Sequence, residues 1–183
     1  MRVASSLRDG MHCVFIQGNQ SGKGSIMGLA YHHSWIMFDD AVKWTVRIPF
    51  DVFCEDIPAQ LIEYLVESEY ATLKFLEHFS VPTPRAHAYG LASDSSNLVG
   101  VSYILEDAMP GRPYSPGEAT AEQKLHVLGQ YASYMQDFRG FPRSKACSLV
   151  PAADGVKEGP IAGNSSGILN QHGPFYSHLG FLQ

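Results

Sequence analysis

The hydrophobic pattern changes its period between residues 42 and 79, and this change restricts the fold more than any other feature of the chain. Apolar and polar side chains alternate over residues 42–48, which is the pattern of a half-buried strand. A second apolar run, 33–38, stands before it and is joined to it by the short polar link 39–41. Two such runs with a tight link predict an antiparallel hairpin.

A helix and two further strands are predicted after this hairpin. Apolar side chains recur at helical steps over residues 57–79, and the two prolines of the segment 81–84 end the helix. Residues 86–90 and 99–106 then have the composition of strands. The order of hairpin, helix and strands predicts an α+β fold with an antiparallel sheet and one main helix.

The second half of the chain is predicted to contain one long helix and an irregular tail. Ser115, followed by Pro116 and by Glu118 three positions on, forms a capping box, and the helix that it opens includes residues 118–139. After Phe141 the chain is rich in Gly, Pro and Ser, which predicts irregular structure. One face of the helix carries an apolar stripe of Leu125, Leu128, Tyr131, Met135 and Phe138.

Composition and charge exclude several classes of function. The net charge is −5, and the 13 basic residues are scattered, so no patch for nucleic acid is predicted. The longest charge-free stretch of the N-terminal part, residues 24–38, is too short to span a membrane. The three cysteines are far apart and form no C-x-x-C pair, which is typical of a reduced, cytoplasmic protein without a zinc site.

Two catalytic motifs are matched only in part. The segment 18–25 is similar to a phosphate-binding P-loop, but it has three residues instead of four between its glycines, and Gly24 follows Lys23. Residues 163–167 satisfy G-x-S-x-G, yet no acidic residue follows Glu158 to complete a catalytic triad. The eight histidines show no metal-ligand spacing. No catalytic or metal-binding residue is therefore predicted.

Arg47 on the second hairpin strand and Glu69 on the helix have two possible interpretations. In kinase-type folds a strand cation contacts the phosphates of a nucleotide, and a helix carboxylate positions that cation. The simpler interpretation is an edge-strand charge and a solvated helix residue, and the spacing alone favours it.

Four segments occur in the order in which a known family has them. Together they resemble the N-terminal half of the aminoglycoside phosphotransferase/choline kinase-like family, especially its fungal members: residues 44–50 (WTVRIPF), 67–76 (ESEYATLKFL), 81–90 (VPTPRAHAYG) and 103–111 (YILEDAMPG). Three later segments resemble the region that this family places before its catalytic loop: 147–149 (CSL), 159–161 (GPI) and 173–175 (GPF). The resemblance implies a kinase-like N-terminal lobe over residues 1–106, a hinge over 107–114 and an incomplete helical C-terminal lobe over 115–183.

The resemblance also implies ATP as the cofactor and assigns roles to individual residues. Arg47 stands at the phosphate-binding cation, Glu69 at its helix partner, and Glu106 in the hinge that meets adenine through backbone groups. The loop that covers the phosphates corresponds to the segment containing Gly22, Gly24 and Gly28, although its glycine spacing departs from the regular one.

The family's catalytic elements are absent from this sequence. The 183 residues contain no His-x-Asp, and Asp154 and Glu158 are the only carboxylates after Asp137, so the Mg²⁺ ligands are missing. We expect a phosphotransferase-family chain that lacks its catalytic loop, and whether it is an enzyme stays open. The alternatives are a nucleotide-binding pseudokinase fragment and a protein-interaction scaffold. The expected partners are a small-molecule phosphate acceptor, as in intact relatives, and a second copy or another protein that binds the apolar stripe of the helix. Neither nucleic acid nor a membrane is an expected partner.

Overall fold

The computed structural model describes residues 1–17, 31–49, 58–112, 114–142, 144–161 and 173–177. Within these ranges the chain forms three helices and seven strands. In chain order they are α1 (Arg2–Ser6), β1 (Cys13–Ile16), β2 (Tyr31–Phe38), β3 (Lys43–Pro49), α2 (Ala59–Leu76), β4 (Ala86–Gly90), β5 (Tyr103–Asp107), α3 (Ala121–Arg139), β6 (Ser148–Ala152) and β7 (Gly155–Gly159).

Strands β1 to β5 form one antiparallel sheet in the order β1-β2-β3-β5-β4. The predicted hairpin is confirmed as β2 and β3, and β2 begins two residues earlier than expected, at Tyr31. Its turn is closed by a hydrogen bond from the amide of Phe38 to the carbonyl oxygen of Val42, and Ala41 takes a positive φ of 65°. The mixed α+β fold with an antiparallel sheet is therefore confirmed.

The two faces of the sheet bury different parts of the core. Trp44 and Val46 face α1, in a cluster that includes Ala4, Cys13, Ile36, Phe38, Tyr103 and Leu105. The opposite face carries Ile104 and Ala86, which pack beneath Val66 and Leu73 of α2. Because side chains alternate along β3, Arg47 lies on the α2 side of the sheet.

Helix α2 is enclosed by two layers, one of which the sequence did not predict. The tail after Phe141 was expected to be irregular, and this expectation is wrong, since β6 and β7 form an antiparallel hairpin that packs on α2. The strands meet at a tight turn that ends in Asp154 and Gly155, and Gly155 has a φ of 131° that side chains disfavour. Because Ala152 pairs with Gly155, the two central turn residues are Ala153 and Asp154, and Gly155 takes the last turn position, where glycine is favoured.

Helix α3 begins later than the sequence predicted. The capping box at Ser115 is wrong: the amide of Glu118 closes a turn on the carbonyl oxygen of Ser115, and the helix opens at Ala121. Thr120 is the N-cap, and its reciprocal hydrogen bonds with Gln123 are 3.2 and 2.9 Å long. Gly117 would lie in the first turn of the predicted helix and disfavours it, whereas strong helix formers follow Thr120.

Helix α3 stands away from the rest of the described structure along most of its length. None of its side chains is buried, and Leu128 on the predicted stripe is 62% exposed. It meets the body at its C-terminal end, where Phe138 packs on Phe79 at 5.1 Å between ring centroids, and Ser80 donates a hydrogen bond to Asp137. No helix in the described ranges is both long enough and apolar enough to cross a membrane.

Candidate functional site

Arg47 lies in the middle of the sheet, beneath α2. Strand β3 has β2 on one side and β5 on the other, so Arg47 stands opposite His33 and Ile104. Its guanidinium Nη1 contacts Oε1 of Glu69, and it lies 3.5 Å from Oε2 of Glu106. The Arg47 side chain is only 18% exposed, so the two carboxylates act on a cation that is largely removed from water.

Glu69 is held over the sheet by the helical period. It comes three residues after Val66 and four before Leu73, and both of these pack on the sheet, so all three share one face of α2. The predicted pair between Arg47 and Glu69 is confirmed. The simpler interpretation is wrong for both residues, because β3 is an internal strand and the Glu69 side chain is only 28% exposed.

Glu106 adds a second carboxylate to the same cation. It lies in β5 between β3 and β4, opposite Thr45 and Ala86, and its side chain is 9% exposed. Burial raises the pKa of the Glu106 carboxyl, the neighbouring charge of Arg47 opposes this rise, and the charge of Glu69 adds to it. The structure thus places its carboxylate on Arg47, and the hinge role of its backbone toward adenine stays a prediction.

Tyr31 completes the cluster, and the sequence analysis missed it. Its ring lies against the guanidinium of Arg47, 4.3 Å from the guanidinium carbon to the ring centroid. Burial is the main cause of a raised pKa of the Tyr31 phenol, and the charge of Glu69 and a hydrogen bond to it raise it further. In the β2–β3 hairpin, Tyr31 is a diagonal cross-strand neighbour of Arg47, and extending the predicted first strand back by two residues in the same register could have found it.

One polar atom of the cluster has no acceptor. The Nε of Arg47 is buried and has no hydrogen-bond partner in the part of the chain that the structure describes. Both carboxylates contact Nη1, on the other side of the guanidinium. Arginine binds an oxyanion through two parallel N–H groups on one edge of the guanidinium. The edge that contains Nε is one of the two edges that can bind in this way. The Nε of Arg47 is therefore an unpaired donor of this cluster among the described residues, and an oxyanion at this edge would supply its acceptor.

The predicted glycine loop cannot be compared with this geometry. Gly22, Gly24 and Gly28 lie outside the described residues. In the sequence they connect β1, which ends at Ile16, to β2, which begins at Tyr31 beside Arg47. Across the described ranges, no group of three or more His, Cys, Asp and Glu side chains is arranged to hold a metal ion.

The chain was also compared with known proteins. No protein-family model, no curated protein and no solved structure matches it. The resemblance to the phosphotransferase family is therefore one of sequence segments alone.

Proposed function

We propose that this chain binds the phosphates of a nucleotide, ATP by family resemblance, at Arg47, as the phosphate-binding lobe of a kinase-like phosphotransferase. One observation carries the proposal: a half-buried strand arginine pairs with a helix carboxylate, while its buried Nε has no acceptor among the described residues. Phosphate oxygens are strong acceptors that match the planar arginine fork.

The order of the elements supports a kinase-like lobe. Protein kinases place the phosphate-contacting cation on the third strand, the carboxylate partner on the helix that follows, and a glycine-rich loop earlier in the chain. Here Arg47 lies on β3, Glu69 lies on α2, and the glycine-rich segment precedes β2. Three parts of that arrangement therefore occur in the same order.

The charge of the cluster sets the form in which a nucleotide binds. With both carboxylates ionised, Arg47, Glu69 and Glu106 together carry one negative charge, which repels a free polyphosphate. A nucleotide that arrives with Mg²⁺ has part of its phosphate charge neutralised. We therefore expect Mg·ATP to bind more tightly than ATP in the presence of a chelator.

Binding is expected without turnover. Phosphoryl transfer needs an aspartate that accepts the proton of the acceptor and side chains that hold Mg²⁺. The 183 residues contain no His-x-Asp to supply the first of these. The phosphate acceptor, a small molecule by resemblance, belongs to the activity of intact relatives.

Calorimetry of the purified chain with Mg·ATP tests the proposal. Arg47→Ala removes charge-assisted hydrogen bonds of about 1.5–3 kcal/mol, so the affinity should fall by about 10- to 100-fold. Arg85→Ala is the matched control, because Arg85 is exposed and its contact with a carboxylate is long, at 4.0 Å from its Nε to Oε2 of Glu77. If the wild-type chain binds no Mg·ATP at millimolar concentration, or if Arg47→Ala binds as tightly as Arg85→Ala, the proposal is wrong.

A second candidate function, a protein-interaction surface, is favoured by α3. An isolated helix of 19 residues is only marginally stable in water, and α3 buries none of its side chains. We propose that a second copy of this chain covers it, with the two α3 helices antiparallel. Leu128 then meets the smaller Ala132 of the second copy, and Leu125 meets Met135 of the second copy.

Charge supports the antiparallel arrangement. Glu122 lies in the first turn of α3 and Arg139 in the last, so in the antiparallel dimer Glu122 of each copy lies near Arg139 of the other. The dipoles of the two helices also point in opposite directions, which is favourable. Sedimentation should show a dimer that Leu128→Glu dissociates. Leu98→Glu is the control, because Leu98 is 78% exposed in the loop between β4 and β5. A monomeric wild-type chain, or a dimer that survives Leu128→Glu, would contradict this candidate.

A further inference from the structure

We propose that the β6–β7 hairpin fixes the position of α2, so that Tyr64 and Gly159 are positioning residues for the contact of Glu69 with Arg47. The effect on Arg47 and Glu69 follows from geometry alone. The consequence for nucleotide affinity rests on the proposed function.

The helix is held between two layers. Every side chain of α2 from Leu61 to Leu76 is buried or half-buried, so the helix has no solvated face. Val66 packs on the sheet. Leu61 and Ala71 are buried as well, but each lies five positions from Val66, about 140° around the helix. Strands β6 and β7 are the elements that pack on α2 besides the sheet strands β4 and β5, so the hairpin covers this second face.

Tyr64 and Gly159 are in close contact between the helix and the hairpin. The hydroxyl of Tyr64 donates a 2.6 Å hydrogen bond to the carbonyl oxygen of Pro160. A Cβ on Gly159 would lie 2.5 Å from the Tyr64 hydroxyl oxygen and 3.2 Å from a methyl of Val150 within the same hairpin, so even alanine would displace the Tyr64 hydroxyl or the strand that carries it. Burial is the main cause of a raised pKa of the Tyr64 phenol.

The hairpin also makes contacts that do not involve α2, and these stabilise its position. Lys145 pairs with Glu158 of β7 at 3.2 Å. Ala146, just before β6, exchanges two backbone hydrogen bonds of 2.9 Å with Phe175. These contacts join the hairpin to neighbouring chain segments and do not involve α2.

Tyr64 and Glu69 lie on opposite faces of α2, five residues apart. A contact on the hairpin face therefore sets the rotation and height of the helix, and with them the place of the carboxylate on the sheet face. An ion pair depends steeply on distance, so a displacement of about 1 Å by a wedge at Gly159 is enough to weaken it. On the sheet side, the packing of Val66 and Leu73 around Glu69 is apolar and non-directional. The hydrogen bonds from Ser93 to Glu63 lie six residues before Glu69.

A double-mutant cycle measures the link directly. The coupling between Arg47→Met and Glu69→Gln is obtained from urea unfolding in three backgrounds: wild type, Gly159→Ala and Gly117→Ala. Gly117 is the matched control, because a Cβ there meets no atom within 4 Å. We expect the coupling factor to fall about tenfold in Gly159→Ala and to stay unchanged in Gly117→Ala. A purely structural hairpin would lower stability in Gly159→Ala and leave the coupling unchanged, which would overturn the proposal.

Two further measurements keep the test decisive. If Gly159→Ala does not fold, Tyr64→Phe removes only the hydrogen bond, and a coupling factor equal to that of wild type then overturns the proposal. Mg·ATP affinity is measured in the same variants. If wild type binds no Mg·ATP while the coupling still falls, the proposed function fails and the positioning role stands. If Mg·ATP binds equally well to wild type and Gly159→Ala and the coupling is unchanged, the positioning role fails and the proposed function stands.

Discussion

Glu69 and Glu106 contact the same cation, yet replacing each of them by glutamine should have different effects on stability. The Coulomb attraction between Arg47 and Glu106 across 3.5 Å is about 5 kcal/mol at an effective dielectric constant of 20. Burying a carboxylate costs several kcal/mol, and the Glu106 side chain is 9% exposed. Burial outweighs the attraction, because the pKa of Glu106 is raised despite Arg47.

Glu106→Gln should therefore change the free energy of unfolding at pH 7 by less than about 1 kcal/mol, or increase it, although an ion pair is lost. Glu69→Gln should decrease it by about 1–3 kcal/mol, because Glu69 is more exposed and its ionised form costs less to bury, while Arg47 keeps only the longer contact. The two variants carry the same chemical change on the same cation, so each is the control of the other.

Urea unfolding between pH 4.5 and 7 provides the assay. Because the pKa of Glu106 is raised in the folded protein, the folded state binds its proton more tightly than the unfolded state, and wild-type stability falls as pH rises above about 4.5. The gain from Glu106→Gln over wild type should thus be largest at pH 7 and shrink toward pH 4.5. A loss of more than about 2 kcal/mol in Glu106→Gln at pH 7, or a larger loss than in Glu69→Gln, would refute the balance between burial and attraction.

Three other outcomes are expected. Thr120→Ala should lower the free energy of unfolding by about 1 kcal/mol or reduce the helix content, whereas Ser115→Ala should change neither. Urea unfolding followed by circular dichroism therefore shows which of the two residues begins the helix. Gly155→Ala should destabilise the chain by about 1 kcal/mol or more, because its φ of 131° strains any side chain, and an unchanged melting temperature would contradict the turn. The purified 183-residue chain should transfer no phosphate from Mg·ATP to aminoglycosides, choline-like compounds or sugars, and labelled product above background would show that the missing His-x-Asp is not needed.

The parts of the fold that the sequence predicted are those with a strong local pattern. The β2–β3 hairpin has a clean alternation of apolar residues, and α2 has a helical stripe that ends at a proline-rich segment. The pair of Arg47 and Glu69 followed from the family resemblance, which gives the two residues matching roles, because their spacing alone favoured the simpler interpretation.

The parts that were missed depend on contacts between distant segments or on a choice between similar local signals. The carboxylate of Glu106 reaches Arg47 through the register of β3 against β5, which no local pattern gives. Ser115 and Thr120 both satisfy the capping pattern, and Gly117 decides between them. The Asp154-Gly155 turn was hidden by a composition rich in Gly, Pro and Ser, which resembles irregular chain.

The contact of Tyr64 with Pro160 also has a consequence for how the chain is made. These two residues are 96 positions apart, so α2 leaves the ribosome long before the hairpin that covers its second face. Until β7 has emerged, the hairpin does not cover the face of α2 that carries Leu61 and Ala71, and these side chains are exposed. We expect nascent chains that end before residue 148 to bind chaperones through α2, and chains that include β7 to be released.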